Sequence, residues 1–423
     1  MSERVVIKEI CEVYDGPHAT PKKTVEGPVY LGIDAITDDG KINSKEFAHL
    51  SEEDYIKWTK RVTPRYGDIV FSYEATLGRY ALIPKDFYGC LGRRLAIIRN
   101  VSKDIDTLWL YYYFLSPEWK QFIQSKIIKG STVNRISVED FPTYTVPNIS
   151  IKVQRKIANI LSKIDEKISL NNNINDNLQQ MVKTIYDYWF TQFDFPDKNG
   201  NPYSSSNGQM LWNDTAKKNL PIGWSCFKME TAIKNVRTGL NPRDNFKLGG
   251  GTIKYITVKN LRSDGVLDFS GCDTIDEATR QIVHRRSDVS VGDILFASIA
   301  PFGRCYLVQQ APQDWDINES VFSIRYNKEI VTPEYLYMHL QSEVFVKEST
   351  ACSTGSIFKG IRINSLMDSK IIIPPIEIIR SFSKKIRPLF TMQNKLNQET
   401  HALIRLRDWL LPMLMNGQAT ISD

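Results

Sequence analysis

Two long segments of the chain place apolar residues at alternating four- and three-residue steps. The first segment carries this spacing at the following positions: Ile157, Leu161, Ile164, Ile168, Leu178, Val182, Ile185 and Trp189. The second segment carries it less regularly, at Ile386, Leu389, Leu396, Leu403 and Leu410. Sustained four-three spacing is typical of a coiled-coil seam. We therefore predict long helices over residues 151–193 and 376–418, with the apolar residues above at the interface between them.

Polar or helix-breaking residues interrupt both predicted helices. Asn171 and Asn175 occupy two seam positions of the first helix. A polar seam residue fixes the register of a helix pair at a cost in stability, although a bend or a contact point for a partner would leave the same pattern. In the second helix, Pro388 and Pro412 are expected to delay its start, kink it or fray its end.

The segment before each long helix mixes short strand patterns with turn signals and one aromatic helical stretch. Residues 1–150 contain strands at 69–72 and 95–98 and a helical stretch at 108–129. Residues 224–375 contain a strand at 294–297 and a helical stretch at 333–349. This pattern predicts an α+β fold in which two α/β domains are each followed by a long helix.

The two halves of the chain repeat each other at an offset of 225 residues. At this offset Gly67-Asp68-Ile69 falls on Gly292-Asp293-Ile294, and Gly78-Arg79 falls on Gly303-Arg304. The further matches are Asp39-Gly40 with Asp264-Gly265, Gly130-Ser131 with Gly355-Ser356, Ile136 with Ile361, and Thr107, Tyr112 and Leu115 with Thr332, Tyr337 and Leu340. Chance identities would not hold one offset at so many glycines, so we predict a tandem duplication.

The segment between the halves, residues 194–223, is rich in Asn, Gly, Ser and Pro and is predicted to connect the repeats. It also contains Phe195, Tyr203, Leu211 and Trp212, so we expect part of it to pack on a domain.

Composition argues against a membrane protein or a disulfide-rich secreted protein and mildly favours a protein with a polyanionic partner. The chain has 423 residues and a net charge of +6, from 54 Lys and Arg against 48 Asp and Glu, which mildly favours a polyanionic partner. The sequence has no apolar run of membrane-spanning length and no signal segment at its start, so a cytoplasmic location is expected. The six cysteines lie far apart and indicate reduced thiols and not a metal cage or a disulfide framework.

Motifs for catalysis by this chain alone are absent from the sequence. Gly355–Gly360 has the glycine spacing of a phosphate-binding loop, but Ile361-Arg362 stands where the lysine would follow. Asn201-Pro202-Tyr203 lacks the second proline of a methyltransferase motif and is better explained as a turn. The five histidines show no metal-ligand spacing. We therefore expect no catalytic residue, no metal site and no cofactor in this chain.

The duplicated arrangement resembles the specificity subunit of type I restriction–modification enzymes over essentially the whole chain. Local strings carry the same resemblance: residues 15–21 (DGPHATP), residues 239–247 (GLNPRDNFK), residues 372–376 (IIPPI) and residues 410–417 (LLPMLMNG). Each string is weakly specific, but their order along the chain is strongly specific.

The resemblance implies a non-catalytic subunit with two target recognition domains, 1–150 and 224–375, that each read one half of a bipartite site in double-stranded DNA. It implies that the two helices pair as an antiparallel coiled coil, set the gap between the half-sites and dock other subunits. Two modification subunits would methylate adenine with S-adenosylmethionine, and two restriction subunits would use ATP and Mg²⁺. The alternative is a tandem-repeat scaffold that binds two copies of a protein partner, which would show no preference for one gapped DNA sequence.

Contacts to DNA require cations at phosphates and amide or guanidinium groups at base edges. In the first domain the candidates are His18, Thr20, Lys22, Lys23, Arg79, Arg93, Arg94, Lys129, Ser131, Asn134 and Arg135. In the second domain they are Asn241, Arg243, Lys247, Lys259, Asn260, Arg304, Ser356, Lys359 and Arg362. For any one of them a solvated surface position is the competing interpretation. Tyr111, Tyr112, Tyr113 and Trp119 are better explained as helix core than as base-stacking residues.

Overall fold

The computed structural model describes residues 3–130, 133–352 and 360–419, and of Cys352 the backbone alone. The chain forms two compact units: Met1–Ser169 together with His401–Asp423, and Leu170–Thr400. Each unit contains one mixed α/β domain and one part of each long helix.

The first domain consists of nine short strands and four short helices within the described residues. Its strands are β1 (Arg4–Val6), β2 (Cys11–Asp15), β3 (Thr24–Leu31), β4 (Ala48–His49), β5 (Ile69–Ser72), β6 (Tyr80–Leu82), β7 (Gly89–Leu91), β8 (Leu95–Asn100) and β9 (Thr145–Pro147). Its helices are α1 (Ile7–Ile10), α2 (Glu52–Trp58), α3 (Thr107–Leu115) and α4 (Pro117–Ser125), and the long helix α5 (Ile151–Tyr186) follows. The strands form three sheets in the orders β2-β8-β5-β6, β4-β3-β7 and β1-β9.

The second unit repeats this topology. Its strands are β10 (Met210–Asn213), β11 (Lys218–Pro221), β12 (Ser225–Lys228), β13 (Ile233–Thr238), β14 (Ile253–Ile256), β15 (Asp273–Ile275), β16 (Ile294–Ala297), β17 (Cys305–Leu307), β18 (Trp315–Ile317), β19 (Val321–Tyr326) and β20 (Lys370–Ile373). Its helices are α6 (Glu277–Ser287), α7 (Pro333–Gln341), α8 (Glu343–Cys352), α9 (Ile363–Asp368) and the long α10 (Ile376–Met415). The sheets β13-β19-β16-β17, β15-β14-β18 and β12-β20 match those of the first domain strand for strand, which confirms the duplication.

The four-stranded sheet of each domain is buried on both faces, which explains why its strands lack a polar alternation. In β5, Ile69 and Phe71 belong to one hydrophobic cluster and Val70 to another on the opposite face. The equivalent strand β16 divides Ile294 and Leu295 between two clusters in the same way.

The offset between the repeats is not constant along the chain. It is 225 residues for β5 and β16 but 226 for β8 and β19, because the connection before β18 is one residue longer than the connection before β7. The predicted matches of Thr107, Tyr112 and Leu115 with Thr332, Tyr337 and Leu340 are therefore each wrong by one residue. Asp106 and Thr332 are the equivalent residues, and the side chains of both cap the following helix by accepting a backbone N–H bond.

Each predicted aromatic helix is divided in two. Ser116 separates α3 from α4, and its hydroxyl caps α4 by accepting the Trp119 N–H at 3.2 Å. Pro117 reinforces the break because the residue before a proline disfavours helical backbone angles. Ser342 separates α7 from α8 in the same manner and accepts the Phe345 N–H.

The two long helices form as predicted, with two corrections. The α-helical part of the first ends at Tyr186, and one π-helical turn, Asp187–Thr191, follows it. The second runs without a break from Ile376 to Met415, so Pro388 and Pro412 neither delay its start nor end it early. The cost of a proline inside a helix, about 3 kcal/mol, is offset here by buried apolar neighbours such as Ile386 and Leu411.

The helices pair antiparallel within each unit. In the second unit Asn171 Nδ2 donates to Glu399 Oε2 at 2.9 Å, and Asn175 Nδ2 donates to Asn397 Oδ1 at 2.7 Å. The predicted seam residues are buried or half-buried, with Leu161 fully buried. The two asparagines that interrupt the seam thus form a polar layer between the helices, as a register-fixing role requires.

The segment between the repeats packs on the second unit as expected, but only in part. The Phe195 ring stacks on Tyr203 and Trp224, with ring centroids 4.7 and 5.1 Å apart. Leu211 and Trp212 lie on the exposed hairpin β10–β11 and remain more than half exposed.

Candidate DNA interface

Four loops of the first domain meet at one end of its four-stranded sheet. The Tyr73 N–H, just after β5, donates to the carbonyl of Arg94 in the β7–β8 turn at 3.1 Å. The Ile136 N–H donates to the Tyr73 carbonyl at 2.8 Å, and this bond holds the loop before residue 136 next to Tyr73. The Gly16 N–H donates to the Leu95 carbonyl at 3.1 Å and joins the loop after β2 to the same place. We call this set of contacts the loop junction.

The second domain builds a corresponding loop junction, in which two of the three backbone bonds join equivalent groups and the third ends on a different residue of the turn. The Ser298 N–H donates to the Ser320 carbonyl at 3.1 Å, and the Ile361 N–H donates to the Ser298 carbonyl at 2.8 Å. The loop after β13 joins through the Gly239 N–H, which donates to the Asn318 carbonyl at 3.1 Å. The two domains therefore present side chains from one shared backbone framework.

The side chains at the first loop junction are mainly cationic. Arg93 is exposed at the tip of the β7–β8 turn, and its backbone N–H donates to the Tyr30 hydroxyl at 3.1 Å. Arg94 has a left-handed backbone, with φ of 74°, and its guanidinium lies 2.9 Å from Glu74. The backbone of Arg135 forms antiparallel β-bridges with Glu74 and with Ile128, and the residue is exposed. His18 lies in the loop after β2, with Nε2 2.8 Å from Asp15 Oδ2.

The side chains at the second loop junction are different. Glu319 stands where the first domain has Arg93, and its Oε1 accepts the Nδ2 hydrogen of Asn241 at 3.1 Å. Arg243 and Lys247 are exposed in the same loop as Asn241. Arg362, next to Ile361, is exposed as well.

The structure thus brings part of the predicted set together at the two loop junctions. Thr20, Lys22, Lys23, Lys129 and Asn134 are exposed on the connected loops of the first domain. Ser131, Ser356 and Lys359 lie outside the described residues.

Two predicted residues have clear roles inside the protein. The Arg79 guanidinium donates to both carboxylate oxygens of Asp38, at 2.6 and 3.2 Å, and to the Ile36 carbonyl. Asn260 is 2% exposed, accepts the Thr257 N–H and donates to the Asp268 carbonyl. We therefore assign Asn260 to holding its loop and not to contact with DNA. Lys259 beside it is exposed, and Arg304 is half-buried.

Two residues at the loop junctions were missed by reasoning from the sequence. Glu319 was overlooked because an acidic residue does not bind phosphate. Arg61 was overlooked because it lies far along the chain from residue 16, yet its guanidinium donates to the Gly16 carbonyl at 3.3 Å. Only the repeat alignment at an offset of 226 would have matched Glu319 to Arg93.

Tyrosines beneath the loop junctions have raised pKa values and stay neutral. Burial, reinforced by the nearby Asp15 carboxylate, raises the pKa of Tyr73. Burial and then the Glu319 carboxylate raise the pKa of Tyr255, whose hydroxyl donates to the Leu240 carbonyl. Each hydroxyl therefore remains a hydrogen-bond donor that supports the loop above it.

Three further observations bear on function. Tyr111, Tyr112, Tyr113 and Trp119 are buried, which confirms them as helix core. No cluster of three or more His, Cys, Asp or Glu side chains suited to a metal ion occurs among the described residues. No helix in the described part of the chain has the length and apolar character needed to cross a membrane.

Both repeats of the chain match one known family. The family model for the type I restriction modification DNA specificity domain matches residues 2–180 and again residues 222–405. The chain belongs to this family. Its two matches coincide with the two repeats, and specificity subunits are non-catalytic components of type I restriction–modification enzymes.

Individual relatives resemble this specificity subunit over nearly its whole length. The MjaIX specificity subunit of Methanocaldococcus jannaschii is 23% identical over 99% of this chain and 93% of its own. The HindI specificity subunit of Haemophilus influenzae is 21% identical over 90% of this chain and 93% of its own. The crystal structure of the type I S subunit from M. genitalium covers 99% of this chain and 96% of its own, with 14% identity and a TM-score of 0.56, which shows a shared fold.

Proposed function

We propose that this specificity subunit reads a bipartite, asymmetric site in double-stranded DNA, one half with each recognition domain. The observation that carries the proposal is the pair of loop junctions, which share two of their three backbone hydrogen bonds but not their side chains. A shared framework presents each set of side chains in a similar geometry. Different side chains at that framework select different base pairs.

The two sets of side chains differ in the bases that they favour. The first loop junction presents Arg93 with its side chain exposed, and arginine favours guanine through O6 and N7. The second presents Asn241 with Glu319 at the place of Arg93, and no arginine stands at that turn. The two half-sites should therefore differ in sequence.

The long helices are proposed to dock two copies of a modification subunit. Each long helix carries one exposed apolar side chain at the same position of the repeat: Met181 is 51% exposed on α5 and Leu406 is 43% exposed on α10. An exposed apolar residue that is repeated in this way fits two copies of one partner. Under this proposal the modification subunits use S-adenosylmethionine to methylate adenine, and two restriction subunits supply the ATP- and Mg²⁺-dependent cleavage.

Mapping methylated adenines in cells with and without this chain, in the presence of a modification subunit, tests the proposal. We expect methylation at one gapped, asymmetric sequence that disappears when the chain is removed. As a matched pair, Arg93→Ala should alter the first half-site only, whereas Lys8→Ala, at an exposed position on α1, should alter neither. Binding of protein partners without preference for a gapped sequence would support the scaffold alternative instead.

A further inference from the structure

Asn241 is held in one orientation by contacts from three sides. Its Nδ2 donates to Glu319 Oε1 at 3.1 Å, and its carbonyl accepts the Asn245 Nδ2 hydrogen at 2.8 Å. The Gly239 N–H bond to Asn318 fixes the chain two residues earlier. A Cβ at Gly239 would lie 1.7 Å from the Ile317 carbonyl oxygen, so only glycine permits this close approach.

The bond to Glu319 also decides which way the Asn241 amide points. A carboxylate accepts hydrogen bonds and donates none, so the amide must turn its nitrogen toward Glu319. The second Nδ2 hydrogen and the Oδ1 atom are then left over, and neither has a partner in the described part of the chain. One free donor thus stands beside one free acceptor, in a half-buried side chain at the loop junction.

A side-by-side donor and acceptor of this kind matches the major-groove edge of adenine. The amide oxygen accepts from N6 and the amide nitrogen donates to N7, a pairing that asparagine makes and that guanine, with an acceptor at O6, does not offer. We propose that Asn241 reads an adenine in the half-site of the second domain, with Glu319 as the positioning residue. This inference rests on the proposed function, since it requires that the second domain binds DNA.

The rest of the second loop junction agrees with this assignment. Phe246 packs edge-on against Tyr255, with ring centroids 5.6 Å apart, and anchors the loop from the side of the sheet. Because the loop is held before the ligand arrives, little side-chain entropy is lost when the base is bound. The exposed Arg243 lies two residues away in the chain. From there it can contact a phosphate while Asn241 contacts the base.

Base analogues test the proposal on the complex of the full chain with its modification subunit. The target site is first mapped by methylation, and each adenine of the second half-site is then replaced in turn by 7-deazaadenine, which lacks the N7 acceptor. We expect the wild-type complex to lose binding at one position, by about 5- to 150-fold. Asn241→Ala should bind the unmodified duplex that much more weakly and show no further loss with the analogue.

Two further variants separate reading from positioning. Arg243→Ala is the matched control, and it should weaken binding to all duplexes alike while keeping the sensitivity to 7-deazaadenine. Glu319→Ala should reduce that sensitivity, and Glu319→Gln, which keeps an acceptor oxygen, should restore part of it. An unchanged response of every variant to changes in the first half-site shows that the variants are folded.

The outcomes distinguish failure of the Asn241 assignment from failure of the proposed DNA-reading function. If Asn241→Ala keeps the wild-type sensitivity to the analogue, or loses affinity equally at every sequence, the assignment of Asn241 is overturned while DNA reading stands. If the wild-type complex shows no preference for any mapped sequence, the proposed function itself fails.

Discussion

The contact of Arg407 with Asp165 offers a direct test of how the long helices are held together in the first unit. Arg407 Nη1 on α10 lies 3.0 Å from Asp165 Oδ1 on α5, and the Tyr112 hydroxyl donates to Asp165 Oδ2 at 2.7 Å. The Arg407 and Asp165 side chains are only 13% and 20% exposed. At an offset of 225, the second unit has Val182 and Phe390 in their places.

The second unit therefore has two buried apolar side chains of one hydrophobic cluster where the first unit has an ion pair. There the Phe390 ring packs edge-on against Tyr337, with centroids 5.4 Å apart. Removing one partner of a largely buried ion pair leaves an uncompensated charge, whereas replacing both with apolar groups is often neutral. Arg407→Val alone should thus lower the free energy of unfolding by roughly 2–4 kcal/mol, because some solvent reaches the pair.

The double variant Asp165→Phe/Arg407→Val imports the pair of the second unit. One side chain grows where the other shrinks, so the total volume changes little, and we expect stability within about 1.5 kcal/mol of the wild type. Asp165→Phe alone should lower the free energy of unfolding by less than Arg407→Val does, because Arg407 keeps Asp408 as a partner at 2.9 Å.

Urea unfolding followed by tryptophan fluorescence measures these effects, because Trp109 and Trp119 are fully buried in the first unit. The double-mutant cycle should give a favourable coupling between the two sites of more than about 1 kcal/mol. Strictly additive losses, with the double variant the least stable of the three, would refute the reasoning.

Three further predictions follow from the fold. Burial lowers the pKa of His339 to about 4. Between pH 6.5 and 4 the unfolded chain therefore binds a proton at this residue that the folded chain does not bind. The urea midpoint of unfolding should fall as the pH falls through this window, and His339→Met should remove this part of the pH dependence. Replacing residues 1–150 should change one half of the methylated site, and a chimera that changed both halves would exclude independent reading. Inserting seven residues into both long helices should lengthen each by about 10 Å, or about three base-pair steps; mapped sites with an unchanged gap and full activity would show that the helices do not set it.

The apolar spacing and the repeated glycines are enough to predict the two long helices and the duplication. The four-three spacing identified both long helices, because a helical seam requires apolar residues at that period whatever surrounds it. The repeated glycines identified the duplication, because positive backbone angles such as that of Gly67, with φ of 84°, restrict the choice of residue. The breaks at Ser116 and Ser342 were present in the sequence as cap signals, but the aromatic residues around them suggested one continuous helix.

Which candidate residues share a surface, and which are bound to other parts of the protein, depends on contacts that form only in the folded chain. Arg79 and Arg93 are alike in the sequence. In the structure Arg79 donates to Asp38, whereas Arg93 is exposed on a turn. Asn241 and Asn260 are equally polar, but the fold buries Asn260, which holds its loop, whereas Asn241 keeps one donor and one acceptor without a partner among the described residues. These differences depend on hydrogen bonds between residues far apart in the chain, such as Asn241 and Glu319, and no local pattern contains them. The unbroken helix through Pro388 has another cause, because tertiary burial of the seam outweighs the local preference against proline.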